Sequence, residues 1–203
     1  MRQSLDYLKE TPAQTAGPYV HIGLAPGAAG FQIFERELGW DIAGPDAPGT
    51  RIRVEGVVLD GTGAPVKDVL LEVWQADAAG IYPHPEDPRA AQHTPGFRGW
   101  GRVITDFDTG LWGFDTIKPG SVMGRDARPM APHINLWIVA RGINIGLNTR
   151  MYFEDEDNSA DPVLGLIEQV HRRETLLARK IGPGHYRFDI RLQGDGETVF
   201  MDV

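Results

Sequence analysis

Hydrophobic and polar residues alternate along several short stretches of this chain, which is typical of β-strands with one face in a core. Residues 52–58 and 186–192 show this alternation. Residues 69–74 form a short, nearly continuous apolar run that favours a strand buried on both faces, and 133–140 is the most apolar stretch. Many short strands with turns between them predict an all-β protein, a β-sandwich or a barrel, and we expect a two-sheet β-sandwich core.

Turn residues predict how some of these strands connect. Asp108-Thr109-Gly110 separates 102–106 from 111–115, as the turn of a β-hairpin would. Further on, a glycine-rich turn precedes a predicted final strand, Thr198–Val203. The only plausible helix start is Asp161-Pro162, an N-cap followed by proline at the first helical position. The sequence therefore predicts one or two short helices.

The first 48 residues show no clean periodicity, and their glycine, proline and alanine residues predict an extended N-terminal arm that lies on the rest of the chain. The stretch 18–22 is too apolar for a disordered terminus. Because no linker or long charge run divides the sequence, we expect a single domain over 1–203. Within it, 1–48 would form the arm and loops, and 49–203 the β-sandwich core.

Charge and cysteine content exclude several classes of function. The 20 Lys and Arg residues stand against 28 Asp and Glu residues, a net charge of −8, which argues against a nucleic-acid or anionic-membrane partner. An anionic substrate would need a local arginine. The absence of cysteine excludes thiolate sites and disulfides and fits a cytoplasmic protein. We also expect no secretory signal and no membrane span, since no apolar stretch is long enough.

Candidate metal ligands occur in two places. His133 and Asn135 share one face of a predicted strand, where a His-x-His pair would begin a non-haem iron site. Since an amide is a poor ligand for a ferric ion, the simpler interpretation is a hydrogen-bonded histidine. Tyr82 could supply a phenolate, although on its own it is an ordinary loop tyrosine. The loop that follows holds four polar residues that suit either a divalent metal or, more simply, solvent: His84, Glu86, Asp87 and His93.

A set of motifs then resembles, in the same order, the intradiol ring-cleaving dioxygenases. The motifs are Leu71-Glu72-Val73-Trp74-Gln75-Ala76, Gly80-Ile81-Tyr82, Gly101-Arg102, Thr116-Ile117-Lys118-Pro119-Gly120, Pro132-His133-Ile134-Asn135 and Arg150-Met151-Tyr152-Phe153. Other stretches are similar to the chain of this family that pairs with an iron-bearing chain: Glu10-Thr11-Pro12, Gln14-Thr15-Ala16-Gly17-Pro18-Tyr19, Ala140-Arg141-Gly142-Ile143-Asn144-Ile145 and Arg172-Arg173-Glu174-Thr175-Leu176. The resemblance covers most of the sequence.

The resemblance implies that iron-bearing chains of the family bind Fe(III) through two tyrosines and two histidines. Carried over by position, Tyr82 matches the first tyrosine and His133 the first histidine. Val122 and Asn135 stand where the other two ligands are expected. A remnant with two of four ligands should not retain iron, because affinity depends on the number of donors. We therefore expect a vestigial site, no metal and no catalytic residue in this chain.

The resemblance further implies a homologous iron-bearing beta chain that holds the Fe(III), within a large symmetric alpha–beta assembly. The arm residues Thr15, Gly17 and Pro18 would help to wall the partner's pocket. Arg141 would help an aromatic acid, protocatechuate, to approach, since a guanidinium suits carboxylate recognition. The assembly would cleave protocatechuate with O2 to 3-carboxy-cis,cis-muconate.

Three alternatives remain open from the residues themselves. Arg141 could be a solvated turn residue or part of a structural ion pair. A stand-alone metalloenzyme would recruit Tyr82, His133 and a donor from the loop 84–93. A purely scaffolding subunit would keep the β-sandwich without any part in an active site.

Overall fold

The computed structural model describes residues 15–17, 19–35, 37, 39, 41–124 and 127–202, and short strands predominate in this part of the chain. The strands are β1 (Arg51–Leu59), β2 (Leu70–Gln75), β3 (Trp100–Ile104), β4 (Leu111–Ile117), β5 (Val122–Met123), β6 (Pro129–Met130), β7 (His133–Val139), β8 (Leu147–Phe153), β9 (Leu177–Gly182), β10 (His185–Arg187) and β11 (Ile190–Arg191). Short helices are α1 (Tyr19–Leu24), α2 (Val170–Arg173) and the 3₁₀ helices Ala90–Gln92, Leu164–Leu166 and Glu174–Leu176. The predicted all-β class is confirmed.

The strands form two layers joined into one nearly closed, sandwich-like sheet. In the first layer β1 pairs antiparallel with β4 on one side and parallel with β10 and β11 on the other. The second layer has the order β8-β7-β2-β3, all antiparallel. Strand β9 joins the layers, since it pairs antiparallel with β10 and parallel with β8. β5 and β6 form a separate two-stranded sheet.

The main hydrophobic core lies between the layers and follows the predicted alternation. On β1, Ile52, Val54 and Val58 are buried while the residues between them are partly exposed. Full burial of such a side chain stabilises the fold by about 1.5–3 kcal/mol. Gly56 is required at its position, because a Cβ atom there would lie 1.9 Å from the carbonyl oxygen of Phe188. β1 can therefore lie close to Phe188, between the parallel strands β10 and β11 beside it.

A buried glutamine links the two layers. The Gln75 side chain at the end of β2 is fully buried and accepts a hydrogen bond from Thr116 Oγ1 at 2.9 Å. Its Nε2 donates to the carbonyl oxygen of Ile117 at 2.9 Å. Since β2 and β4 lie in different layers, this satisfied polar group fixes their relative position, which an apolar contact would not do.

Several strand predictions need correction. The turn at 108–110 closes with a bond from the Asp106 N–H to the Leu111 carbonyl at 2.8 Å, but the flanking strands do not form a hairpin. β3 pairs with β2 and β4 with β1, so the chain crosses between layers there. The predicted final strand is also wrong: within 198–202 the structure shows only an isolated bridge from Met201 to Asn148. β2 is buried on one face and half-buried at Glu72 and Trp74 on the other.

The helix predicted to start at Asp161-Pro162 begins later, at Leu164, and other helices were missed. Asp161 Oδ1 accepts the N–H groups of Val163 and Leu164 at 2.8 and 2.9 Å and so caps the following turn, which is only a short 3₁₀ helix. α1 lies within the predicted arm, where Arg102 donates to the carbonyl oxygen of Leu24 at 2.7 Å. The boundaries of the arm and of the single domain stay predictions. Over the described ranges, none of the helices has the length and apolar character needed to cross a bilayer.

Candidate functional site

The loop after β2 brings Tyr82 toward β7. Asp77 Oδ1 accepts two backbone N–H groups of this loop at 2.9 Å. Gly80 adopts a φ of 73°, and a Cβ atom there would lie 1.9 Å from the carbonyl oxygen of Ser121. Only glycine permits this approach. The loop therefore packs against the segment that leads into β5, and Tyr82 and Val122 face the same groove.

Tyr82, His133, Asn135 and Arg150 form a polar group that we call the central cluster. His133 and Asn135 alternate on β7, and Arg150 lies directly opposite Asn135 on β8. His133 Nδ1 lies 2.7 Å from the carbonyl oxygen of Ala131, which can only accept, so this nitrogen carries the proton. Nε2 of the neutral ring is then an acceptor, and the Tyr82 hydroxyl donates to it at 3.4 Å.

The Asn135 amide connects the two sides of the central cluster. Its Nδ2 donates to the Trp74 carbonyl at 3.3 Å and lies 3.5 Å from the Tyr82 hydroxyl. Its Oδ1 accepts from Arg150 Nε at 2.9 Å. Both ends of the amide are therefore already paired. The Trp74 ring stacks on Tyr82 with 5.4 Å between ring centroids, which fixes the phenol plane.

Burial keeps the imidazole and the phenol of the central cluster neutral. Burial lowers the pKa of His133 to about 4, and the positive charge of Arg150 acts in the same direction. Burial raises the pKa of Tyr82, although the same guanidinium opposes the shift. Burial also raises the pKa of Tyr152, whose hydroxyl donates to Asp161 Oδ1 at 3.1 Å. At neutral pH the cluster therefore holds one neutral imidazole, one neutral phenol and one cation, and the phenol of Tyr152 beside it is neutral as well.

The four positions matched to metal ligands lie together, but they do not fit a ferric site. Tyr82 and His133 direct an oxygen and a nitrogen at each other, whereas Val122 has no donor atom and the Asn135 oxygen is held by Arg150. Val122 and Tyr82 line an open groove of about 860 Å³. Two donors, one of them a phenol whose pKa is raised, are too few for a hard trivalent ion.

The loop after Tyr82 offers no second metal site. In the part of the chain that the structure describes, no three His, Cys, Asp or Glu side chains are grouped so that they could hold a metal ion. Asp87 is used structurally instead, because it accepts the backbone N–H groups of Tyr82 at 3.0 Å and Arg89 at 2.8 Å. His93 Nδ1 bonds the Ala90 carbonyl at 2.7 Å.

A second group of predicted residues lies at the surface, where Thr15 contacts the turn 140–142. We call Thr15, Gly17 and the turn 140–142 the arm junction. Thr15 Oγ1 accepts the N–H of Gly142 at 2.6 Å and donates to the Ala140 carbonyl at 3.3 Å. A Cβ atom at Gly17 would meet nothing within 4 Å, so open space lies beside it. Pro18, predicted to act with them, lies outside the described residues.

Arg141 projects from the arm junction over an open groove of about 910 Å³. Its Nε and Nη2 lie 2.8 and 2.6 Å from Asp68 Oδ2, and 68% of its side chain is exposed. The structural ion pair left open by the sequence is therefore present. The pair engages Nε and Nη2 and leaves Nη1 without a partner in this ion pair.

Sequence reasoning gave no role in the site to Arg150, a member of the central cluster, or to Tyr152 and Asp161 beside it. Arg150 and Tyr152 are two residues apart on one strand and so share a face, a signal present in the motif Arg150-Met151-Tyr152-Phe153. Nothing in the local sequence says which strand lies beside β7, and this pairing is what places Arg150 against Asn135.

The fold and the matched sequence place the chain in a known class. It belongs to the intradiol ring-cleaving dioxygenase family: a family model described as Dioxygenase matches residues 35–194. The chain is 53% identical over 203 residues to the protocatechuate 3,4-dioxygenase alpha chain of Pseudomonas putida, covering 98% of both chains. It is 40% identical over 161 residues to the protocatechuate 3,4-dioxygenase beta chain of Burkholderia cepacia, covering 74% of this chain and 67% of that one.

A solved structure agrees with this assignment. The dioxygenase domain of a dioxygenase carbohydrate-binding protein fusion from Streptomyces sp. SirexAA-E superposes with a TM-score of 0.53 at 25% identity. The match covers 94% of this chain and 100% of that chain. The β-sandwich core and its arrangement of strands are thus shared with a dioxygenase domain.

Proposed function

We propose that this chain is the alpha subunit of a protocatechuate 3,4-dioxygenase and that it binds no iron itself. The complex would open the ring of protocatechuate between its two hydroxylated carbons and add both atoms of O2, giving 3-carboxy-cis,cis-muconate. The incomplete donor set of the central cluster carries the proposal, because Val122 and Asn135 supply neither a phenolate nor an imidazole. Fe(III) would belong to a homologous beta chain.

Exposed apolar residues support a partner chain. Tyr19, Ile33 and Phe34 in the N-terminal segment are 79%, 64% and 58% exposed. Several exposed apolar side chains within one segment are typical of surfaces that another protein covers. Relatives named as alpha and beta chains both resemble this sequence, which supports an assembly of two homologous subunits. We propose repeated alpha–beta pairs in a symmetric particle.

The arm junction is the part of this chain that we propose to complete the partner's pocket. Protocatechuate is an anion, and a chain with a net charge of −8 repels anions unless a local cation corrects the field. Arg141 supplies that cation on an exposed turn, and Thr15 holds the turn to the arm. Gly17 and Pro18 would line the same wall, where small side chains leave room for a substrate.

Kinetics of the reconstituted alpha–beta complex test this role. We expect Arg141→Ala to raise KM for protocatechuate about 10- to 100-fold with little change in kcat, because a charge-assisted hydrogen bond contributes about 1.5–3 kcal/mol. KM for catechol, which lacks the carboxylate, should not change. Arg179→Ala is a matched control on an exposed strand position. Unchanged protocatechuate kinetics for Arg141→Ala would leave only a scaffolding role.

Metal analysis tests where the iron is held. We expect the chain purified alone to carry no stoichiometric iron, and the complex to carry one iron for each alpha–beta pair. A stand-alone metalloenzyme built on Tyr82, His133 and the loop 84–93 predicts the opposite result. It requires one iron per isolated chain and visible absorption from an iron-bound tyrosinate.

A further inference from the structure

The central cluster contains a cation, although it does not contain the donors for a metal. The register between β7 and β8 sets Arg150 opposite Asn135, and its Nε donates to the Asn135 oxygen at 2.9 Å. Arg150 Nη1 lies 3.5 Å from the Tyr152 hydroxyl and 3.4 Å from Met130 Sδ. The guanidinium is therefore bordered by an amide oxygen, a phenol and a thioether.

In the described part of the chain, the groups within hydrogen-bond distance of this guanidinium are all neutral and belong to Asn135, Met130 and Tyr152. Among the described residues, no carboxylate lies within ion-pair distance of Arg150, in contrast to Arg141, which pairs with Asp68. Asp161 is reached only through the Tyr152 hydroxyl, which donates to it at 3.1 Å. A half-buried cation bordered by neutral oxygen and sulfur atoms resembles a bound metal ion in its surroundings more than a surface ion pair.

The retained donors are tied to this cation through one side chain. The Asn135 amide accepts from Arg150 at one end and lies 3.5 Å from the Tyr82 hydroxyl at the other. Tyr82 in turn donates to His133 Nε2 at 3.4 Å. The hydrogen bonds thus run from Arg150 to His133 without interruption.

We propose that Arg150 takes the place of a metal ion in this chain: its guanidinium is the cation around which Tyr82, Asn135 and His133 are arranged, and it prevents an iron ion from binding there. Two causes act together. A permanently charged group one amide away repels a trivalent ion, and it holds the oxygen of the residue at position 135. The repulsion persists whichever residue stands at 135, so restoring donors at 122 and 135 would not restore a metal site while Arg150 remains. This inference does not depend on the role of Arg141.

Iron loading of four full-length variants tests the inference. Val122→Tyr/Asn135→His restores the missing donors, and a second chain adds Arg150→Gln. A third adds Arg179→Gln instead, as the matched control for losing one arginine, and the fourth carries Arg150→Gln alone. Each chain is loaded with iron in air, desalted and analysed for iron and for visible tyrosinate–iron absorption, with circular dichroism to verify folding.

We expect the chain that combines both restored donors with Arg150→Gln to hold at least tenfold more iron than the other three. Equal loading with and without Arg150 would overturn the proposal, and so would a folded combined variant that takes up no iron. If the donor-restored chains do not fold, thermal unfolding of Arg150→Lys and Arg150→Gln decides. Lysine keeps the cation, so we expect its Tm loss to be less than half that of glutamine; equal losses would overturn the proposal.

Discussion

The central cluster and the arm junction differ in how many of their polar groups are already paired within the chain. In the central cluster the His133 ring and the Asn135 amide are bonded at both ends, and His133 is only 1% exposed. At the arm junction Arg141 meets one carboxylate oxygen and keeps 68% of its side chain exposed. A paired, buried group can bind an outside molecule only by breaking a bond. We therefore expect a substrate to meet the residues of the surface turn, and not those at the positions that match metal ligands.

The largest difference should appear in the pH dependence of stability. The pKa of His133 is about 4 in the folded chain against 6.5 for the free side chain, so between these values the unfolded chain binds a proton that the folded chain does not. Above pH 6.5, protonation of this histidine therefore does not change the free energy of unfolding. The free energy of unfolding falls by up to about 3 kcal/mol as the pH falls toward 4.

Urea unfolding of the isolated chain from pH 7 to pH 4 measures this effect. His133→Gln keeps a neutral donor and acceptor, and we expect it to remove most of this pH dependence. The same substitution at the exposed His171 is the control and should leave the dependence intact. A pH profile unchanged by His133→Gln would mean that burial does not lower the pKa of His133. The central cluster would then not differ from the arm junction in how strongly its groups are buried.

A smaller effect is expected for Tyr82→Phe. The substitution removes the hydroxyl that donates to His133 and leaves that buried nitrogen unpaired, which should cost about 1–2 kcal/mol of the free energy of unfolding. Tyr19→Phe is the matched control, because this side chain is 79% exposed and its change should stay within about 0.5 kcal/mol. Equal results for the two variants would show that the hydrogen bonds of the central cluster contribute little.

The smallest effect on stability is expected for Thr15→Val at the arm junction. Water can replace the lost bonds to Gly142 and Ala140, so the free energy of unfolding should change by less than about 1 kcal/mol. In the alpha–beta complex, KM for protocatechuate should still rise, because the turn that carries Arg141 is no longer held. Thr62→Val, at another exposed turn, should leave KM unchanged. A stability loss as large as that of Tyr82→Phe would contradict the comparison.

The sequence predicted those strands in which the order of apolar and polar residues follows which side chains are buried. β1 alternates as its residues do, and β7 coincides with the most apolar stretch. The hairpin at 108–110 was wrong because a turn fixes only the reversal of the chain. Which partner each flanking strand takes depends on distant residues, and here β4 pairs with β1. The final strand was wrong because Val199 and Met201 pack on a small cluster around Leu164, with one isolated bridge at Met201 in place of a strand ladder.

The candidate site could be predicted in part for the same reason. The motifs located Tyr82, His133 and Asn135, and the structure brings them within hydrogen-bond reach of one another. Arg150 received no role, because its importance comes from lying opposite Asn135 across a strand pair. Thr15 and Arg141 were both named, but the bonds between Thr15 and the turn 140–142 join positions too distant in sequence for any local pattern to reveal.

The parallel pairing of β1 with β10 and β11 has a consequence for how the chain is made. Residues 53–55 pair with 185–187, and 58–59 with 190–191. One edge of β1 therefore stays unpaired until these much later residues have been synthesised. On the ribosome, the first layer cannot be completed until residues 185–191 have emerged. Such distant pairing slows folding, and an unpaired strand edge invites association with other chains. A nascent chain that stalls before residue 185 would therefore expose an aggregation-prone edge in the middle of its core.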